Sequence, residues 1–172
     1  MHVSKISSIM PQNVMKDCQM IEIDATDQRI LTALQKEGRI TNADLAQKVG
    51  LSASACHRRV QRLEDLGVIR AYVALLDARK IRRPTTIFVE ITLSGQADEL
   101  LDAFERAVRT IPDVLECHLM AGSADYLLKV VARDADDFAR IHRQRLAKLP
   151  GVAQMRSSFS LRTVEFTTAL PL

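Results

Sequence analysis

The stretch Thr41–Gly67 constrains this chain most, because it has room for only one arrangement: two short helices joined by a tight turn. Thr41 is placed to cap the first helix, with Asp44 three residues on to return a bond to the Thr41 backbone N–H. Leu45, Ala46 and Val49 supply its apolar stripe, and Gly50 ends it where a positive φ is needed. Ser52 caps the second helix, whose buried face is marked by Cys56, Val60, Leu63 and Gly67 at helical spacing.

The opposite face of that second helix points to a chemistry. At about 100° per residue, Ser54, Arg58, Gln61 and Arg62 lie opposite the buried stripe, with His57 and Arg59 on its flanks. Three arginines and no acid fall between Ser52 and Leu63. Arginine offers a two-pronged donor to guanine, and small hydroxyls at a helix start reach phosphate. Ser54, Arg58 and Arg62 are therefore expected nearest the bases of duplex DNA, with Ser52, His57 and Arg59 nearer its backbone. A merely solvated basic face is the alternative, and the small Ala46 and Gly50 at the turn favour DNA.

The helix Asp24 to Gly38, capped by Asp24 with Asp27 three residues later, offers Ile30, Leu31 and Leu34 to the other two. Residues 24–69 so form a three-helix, helix-turn-helix domain. Residues 1–23 show no clear period and read as a tail, in which Met15 or Met20 is a candidate natural start. Val68 to Asp77 reads as a strand or two short strands, either a wing or a connector, and 70–84 as the strand and linker.

The second half follows a regular plan. Strands are expected at Thr85–Leu93, Val114–Met120, Tyr126–Ala132 and Val152 to about Thr167. Helices are expected at Asp98–Arg109 and Asp136–Leu149, the latter with Phe138, Ile141, Leu146 and Leu149 inward. The order β-α-β-β-α-β over residues 85–172 is that of a ferredoxin-like sandwich, which makes the whole chain α+β. Ile87, Val89 and Ile91 alternate with Thr86, Phe88, Glu90 and Thr92, so the sheet face away from the helices is not simply polar. A second copy covering it predicts a homodimer.

Composition narrows the partners. Residues 1–80 carry 12 Lys and Arg against 9 Asp and Glu, net +3, whereas 81–172 carry 12 and 12. The excess lies with the basic helix, as a polyanion partner requires. Aromatics are 4% with no Trp, which argues against base stacking on aromatic platforms. Cys18, Cys56 and Cys117 are scattered and odd in number, which suggests reduced thiols in a cytoplasmic protein and no zinc site. No run of about 18 apolar residues suggests a membrane span.

No enzyme chemistry emerges. Cys117 and His118 are neighbours on a strand and point to opposite faces, so they cannot form a dyad; Cys117 is expected as a buried small hydrophobe. His142 lacks a metal-ligand partner, and neither a Gly-rich phosphate loop nor a carboxylate pair is present. No cofactor and no metal is expected.

Ser52–Ile69, the Ala74–Asp77 segment, Phe88–Thr92 and Glu116–Lys129 together resemble the Lrp/AsnC (feast/famine) transcription regulators over about Ile23 to Leu172. The resemblance implies a winged helix-turn-helix domain joined by a strand linker to an α/β sandwich. It also implies dimers through the C-terminal sheets, further assembly to octamers, and an amino-acid effector at the seams between dimers. By position, His118, Met120, Gly122, Ser123, Ala124, Asp125 and Tyr126 would line the effector site, with Ala135, Ser158 and Ser160 approaching from the other side. Backbone N–H groups of the turn and the Asp125 carboxylate would meet the ligand's carboxylate and ammonium. Where the family often has Gly-Asp-x-Asp-Tyr, this chain has Gly122-Ser123-Ala124-Asp125-Tyr126, which leaves a different effector, a weaker one or none as alternatives. An architectural DNA binder of the same fold without an effector is the rival function. The closing Phe166–Leu172 resembles a subgroup of local regulators of amino-acid catabolism.

Overall fold

The computed structural model describes residues 21–172; the tail, both candidate start methionines and Cys18 lie outside the described residues. Two compact units emerge, one of 21–74 with 167–172 and one of 75–166. Residues 167–172, expected with the second domain, thus group with the first. There the Gln35 side-chain amide exchanges two hydrogen bonds with the Leu170 backbone, at 3.1 and 2.6 Å.

The first unit holds α1 (Ala25–Lys36), α2 (Asn42–Val49) and α3 (Ala53–Asp65). Asp24 Oδ1 accepts from the Thr26 and Asp27 amides at 2.8 Å each, and the Asp27 carboxylate reaches back to the Asp24 N–H at 3.4 Å. This closes the expected capping box of α1. At α2 the reciprocal bond differs from expectation. Thr41 Oγ1 accepts from the Asp44 N–H at 3.2 Å, but Asp44 takes the Thr41 hydroxyl proton at 2.7 Å and not the backbone N–H. Gly50 follows at φ 73°, and its left-handed turn lets the Leu51 amide bond back to the Ala46 carbonyl at 2.9 Å. Ile30, Leu45, Ala46, Val49, Cys56 and Leu63 are buried together, with Val60 half-buried at the edge. Burying each such side chain is worth about 1.5–3 kcal/mol, enough to hold three short helices that would be marginal alone.

No strand forms after α3. Residues 70–76 have no regular structure, and Tyr72, Val73, Leu75 and Leu76 are exposed. A β-prone segment needs a neighbouring backbone to bond to, and among the described residues none bonds to it.

The second unit contains β1 (Thr85–Leu93), α4 (Asp98–Val108), β2 (Val114–Leu119), β3 (Tyr126–Ala132), α5 (Ala135–Gln144), a 3₁₀ turn at Leu146–Lys148 and β4 (Val152–Phe159). The sheet order is β2-β3-β1-β4 with antiparallel pairing throughout, as in a ferredoxin-like sandwich. Ile87, Val89, Ile91, Leu128 and Val130 face Phe104, Val108, Phe138 and Ile141 of the two helices, forming the core. Leu146 and Leu149 are buried as expected, though the helix breaks at Arg145 and only a 3₁₀ turn continues it. Gly151 sits at φ 70°, where a side chain is strained, and a Cβ there would press on the Leu100 side chain 2.5 Å away. β4 stops at Phe159, short of the expected Thr167. Its partner β1 begins at Thr85, and after the Ser160 amide bonds to the Thr86 carbonyl at 2.9 Å the ladder has nothing further to pair with.

Candidate nucleic-acid interface and ligand-sensing surface

α3 is held by both of its neighbours. Cys56 and Leu63 are fully buried against α1 and α2, and Asn42 Nδ2 donates to the Ala53 carbonyl at 2.9 Å, tying the starts of α2 and α3 together. Ser52 spends its hydroxyl as the helix cap, accepting the Ala55 N–H at 3.2 Å, and Ser54 Oγ lies 3.3 Å from it. Ser54, His57, Arg58, Gln61 and Arg62 are exposed on the face away from the core. Among the described residues Arg58 has no ion-pair partner, although it lines one groove with Glu22, Asp24, Asp27, Arg59 and Arg62.

The other two arginines depart from expectation. Arg59 Nη1 contacts Asp24 Oδ2 at 2.6 Å and Asp27 Oδ1 at 2.8 Å. Arg62 Nη1 contacts Asp27 Oδ2 at 3.1 Å, and its Nη2 donates to the Glu22 carbonyl at 3.2 Å. Arg62, expected nearest the bases, therefore turns both terminal nitrogens back onto its own domain. The reason is the Asp27 carboxylate, only 1% exposed, whose charge would otherwise be stranded away from water. Backbone donation from Asp27 and then the Arg59 hydrogen bond hold the Asp24 carboxyl below its ordinary range, and Asp24 in turn raises the Arg59 guanidinium. The spacing of Asp24 and Asp27 by itself predicts only a local cap. An acidic cap and one acid in the first turn of α1, with a single arginine in that helix, Arg29, engaged by Thr26, are the available signal.

In the second unit the expected effector residues fall into two groups. Met120 to Asp125 form the turn between β2 and β3, closed by the Met120 amide on the Asp125 carbonyl at 2.8 Å. The Gly122, Ser123 and Ala124 amides make none of the turn's backbone hydrogen bonds. His118 lies on the sheet face away from the helices, opposite Leu127, with Glu116 at 3.4 Å. Ser158 pairs with Phe88, and Ser160 and Ala135 lie beyond it, at the far end of β1 from the Ile91–Tyr126 pair. At about 3.3 Å per residue these two groups cannot enclose one small molecule within a single chain.

Three expectations need correction here. Tyr126 is 1% exposed on the helix side, stacked on Phe104 at 4.5 Å with its hydroxyl donating to Glu105 at 3.0 Å, so its side chain does not line the turn. Burial and then Glu105 push its phenol well above the usual range. Asp125 does not wait for an ammonium: Oδ2 accepts the Leu93 amide at 2.8 Å and Oδ1 the Gln96 side chain at 3.0 Å, locking the end of β1 to the turn. Cys117, expected buried, is exposed on edge strand β2.

The sheet face away from the helices carries Phe88, 38% exposed, between half-buried Leu127 and Val131, with Lys129 5.8 Å from the Phe166 ring centre. Glu116 bonds Lys129 at 2.7 Å and its carboxyl is lowered chiefly by that bond. Among the described residues no helix is long and apolar enough to cross a membrane, and no cluster of ligating side chains fits a metal.

A basic-faced helix on a three-helix unit, followed by an antiparallel α/β unit with an uncovered apolar face, defines a two-part DNA-binding regulator. Residues 23–70 match the winged helix-turn-helix DNA-binding family, and residues 86–170 match the Lrp/AsnC ligand binding domain. The Bkd operon transcriptional regulator of Pseudomonas aeruginosa is 40% identical over 153 residues, covering 89% of this chain and 100% of the relative. The leucine-responsive regulatory protein of Escherichia coli is 38% identical over 149 residues, 87% of this chain and 91% of that protein. A transcriptional regulator of Neisseria meningitidis, solved as a complex with L-Met, superposes with a TM-score of 0.83 at 37% identity, covering 87% of this chain and 97% of that one. The chain belongs to the Lrp/AsnC family of transcriptional regulators.

Proposed function

We propose that this protein is a cytoplasmic, non-enzymatic regulator that binds specific duplex DNA through α3 and whose binding or assembly responds to a small amino acid. The observation that carries the DNA reading is the single exposed face of α3. It presents Ser54, His57, Arg58 and Gln61 outward while Cys56 and Leu63 anchor it. A helix so anchored fits the major groove. In this reading Ser52 approaches the backbone, and residues 24–69 act as the DNA domain, 70–84 as the linker and 85–172 as the sensing and assembly domain.

The amino-acid class is supported by relatives whose names include leucine-responsive and an L-Met complex. The turn amides of Gly122, Ser123 and Ala124 receive the ligand's carboxylate, with His118 and Met120 beside them. Ala135, Ser158 and Ser160 come from another copy, since one chain cannot close both groups around a ligand. Homodimers form through the face carrying Phe88, Leu127 and Val131, and dimers assemble further, to octamers.

Thermal unfolding against each of the twenty amino acids at millimolar concentration tests the effector. A ligand at about a hundred times its Kd adds roughly 2.7 kcal/mol, a shift of several degrees. One amino acid is expected to stand clear of the rest. A flat panel removes the amino-acid effector and leaves the architectural reading, which sequence-indifferent DNA binding would then support.

A further inference from the structure

Two of the three arginines on the DNA-facing helix are held by carboxylates of α1, and this changes which residue reads sequence. We infer that Asp27, with Asp24, is a positioning group that withholds Arg59 and Arg62 from the bases, leaving Arg58 as the arginine that reads them. The inference rests on the assignment of α3 as the DNA-reading helix.

Bidentate recognition of guanine needs two parallel N–H groups of one guanidinium pointing into the groove. In Arg62 both terminal nitrogens point the other way, to Asp27 and to the Glu22 carbonyl. Arg59 is half-buried, with Nη1 shared between Asp24 and Asp27. Asp27 is 1% exposed and accepts from both arginines, so its release would strand a carboxylate in a dry site. Arg58 lies one turn before Arg62 on the same side of the helix and lines the same groove, yet it is exposed and, among the described residues, pairs with none of these acids.

The clasp also sets charge. Glu22, Asp24 and Asp27 line one groove with Arg58, Arg59 and Arg62, so the acids offset part of the positive face that would otherwise draw any polyanion. Sequence preference is a ratio of specific to non-specific affinity, and muting two indiscriminate phosphate binders raises that ratio.

The test begins with selection of a preferred duplex by the full-length protein from a random double-stranded library. Affinity for that duplex and for a scrambled one of equal composition is then measured over a range of salt. Arg58→Ala is expected to lower the preference about tenfold or more, one lost base contact, and Arg62→Gln to keep it within about twofold. Asp27→Asn is expected to tighten binding to the scrambled duplex and steepen the log–log salt slope by about 1 to 2, the value of one or two freed phosphate contacts. A merely structural Asp27 would weaken both duplexes together and leave the slope unchanged, overturning the inference. Loss of preference in Arg62→Gln equal to that in Arg58→Ala would also overturn it, and this pair decides if Asp27→Asn does not fold. If the wild-type protein enriches no sequence, the DNA-reading assignment itself fails and the inference with it.

Discussion

Asp27 and Asp137 are both buried carboxylates gripped by several arginines, yet they do different work. Asp137 Oδ1 is bonded by Arg140 at 2.6 Å and Arg133 at 3.3 Å, and Oδ2 by the Arg133 amide at 3.0 Å and Arg83 at 3.4 Å. Three of those four contacts come from within four residues, so the cluster finishes the start of α5 and joins it to Arg83. Asp27 instead holds Arg59 and Arg62, 32 and 35 residues away, on the helix proposed to meet DNA. A local clasp closes a helix end; a distant one decides where a functional side chain points.

The largest effects should come from the apolar neighbours of each clasp. Phe138 beside Asp137 packs edge-on to Phe159 at 5.4 Å, and Leu63 follows Arg62 into the first core. Phe138→Ala is expected to cost about 3–5 kcal/mol and Leu63→Ala about 2–5 kcal/mol, read by urea denaturation. A loss below about 1 kcal/mol at either would mean that core is not what supports its clasp. Next comes the turn that sets α3 against α2: Gly50→Val forces a branched side chain to φ 73° and should cost about 1–2 kcal/mol.

Smaller still, Arg140→Ala and Arg62→Ala should each cost about 0.5–1 kcal/mol, because both guanidiniums are well exposed and Arg133 and Arg59 still hold the two buried carboxylates. The two then separate by function, with DNA binding unmoved in Arg140→Ala and affinity for every duplex lowered alike in Arg62→Ala, where Asp27 loses a neutralising partner beside the groove. Equal DNA behaviour would erase the contrast between the clasps.

Acid sharpens it further. Asp137 is held well below the usual carboxylate range by the Arg133 amide first and then by Arg140 and Arg133; Asp24 is lowered by the Asp27 amide and then by Arg59. A depressed carboxyl contributes stability that is fully present above its unfolded pKa of about 3.9 and is lost as pH falls through the folded value. Melting temperature followed downward from about pH 4 should therefore fall less steeply in Asp137→Asn than in wild type. Asp24→Asn should show a smaller flattening. An unchanged acid limb in both variants would mean neither carboxylate is coupled to folding.

Legibility in the sequence followed contact range. The caps at Asp24, Thr41 and Ser52, the stripe Cys56–Leu63 and the strand–helix order of 85–159 all rest on neighbours within a few residues, where spacing alone decides which atoms meet. Misjudged features involved distance or an absent backbone. The segment 70–76 has strand composition without a partner, and β4 outran β1. Position alone puts Tyr126 and Asp125 in a ligand turn, whereas Glu105, Leu93 and Gln96 engage their side chains.

By itself the sequence determined the two-part α+β plan, the family and the basic face of one helix, because periodicity and capping are short-range properties of the chain. Only the tertiary structure decided that Arg59 and Arg62 turn back to Asp24 and Asp27 while Arg58 stays outward. It also decided that Ser160 and Ala135 lie at the Thr85 end of β1 and the 120–125 turn at its other end. A guanidinium's direction depends on which carboxylate folding brings within about 3 Å of it, and no spacing along one helix contains that information.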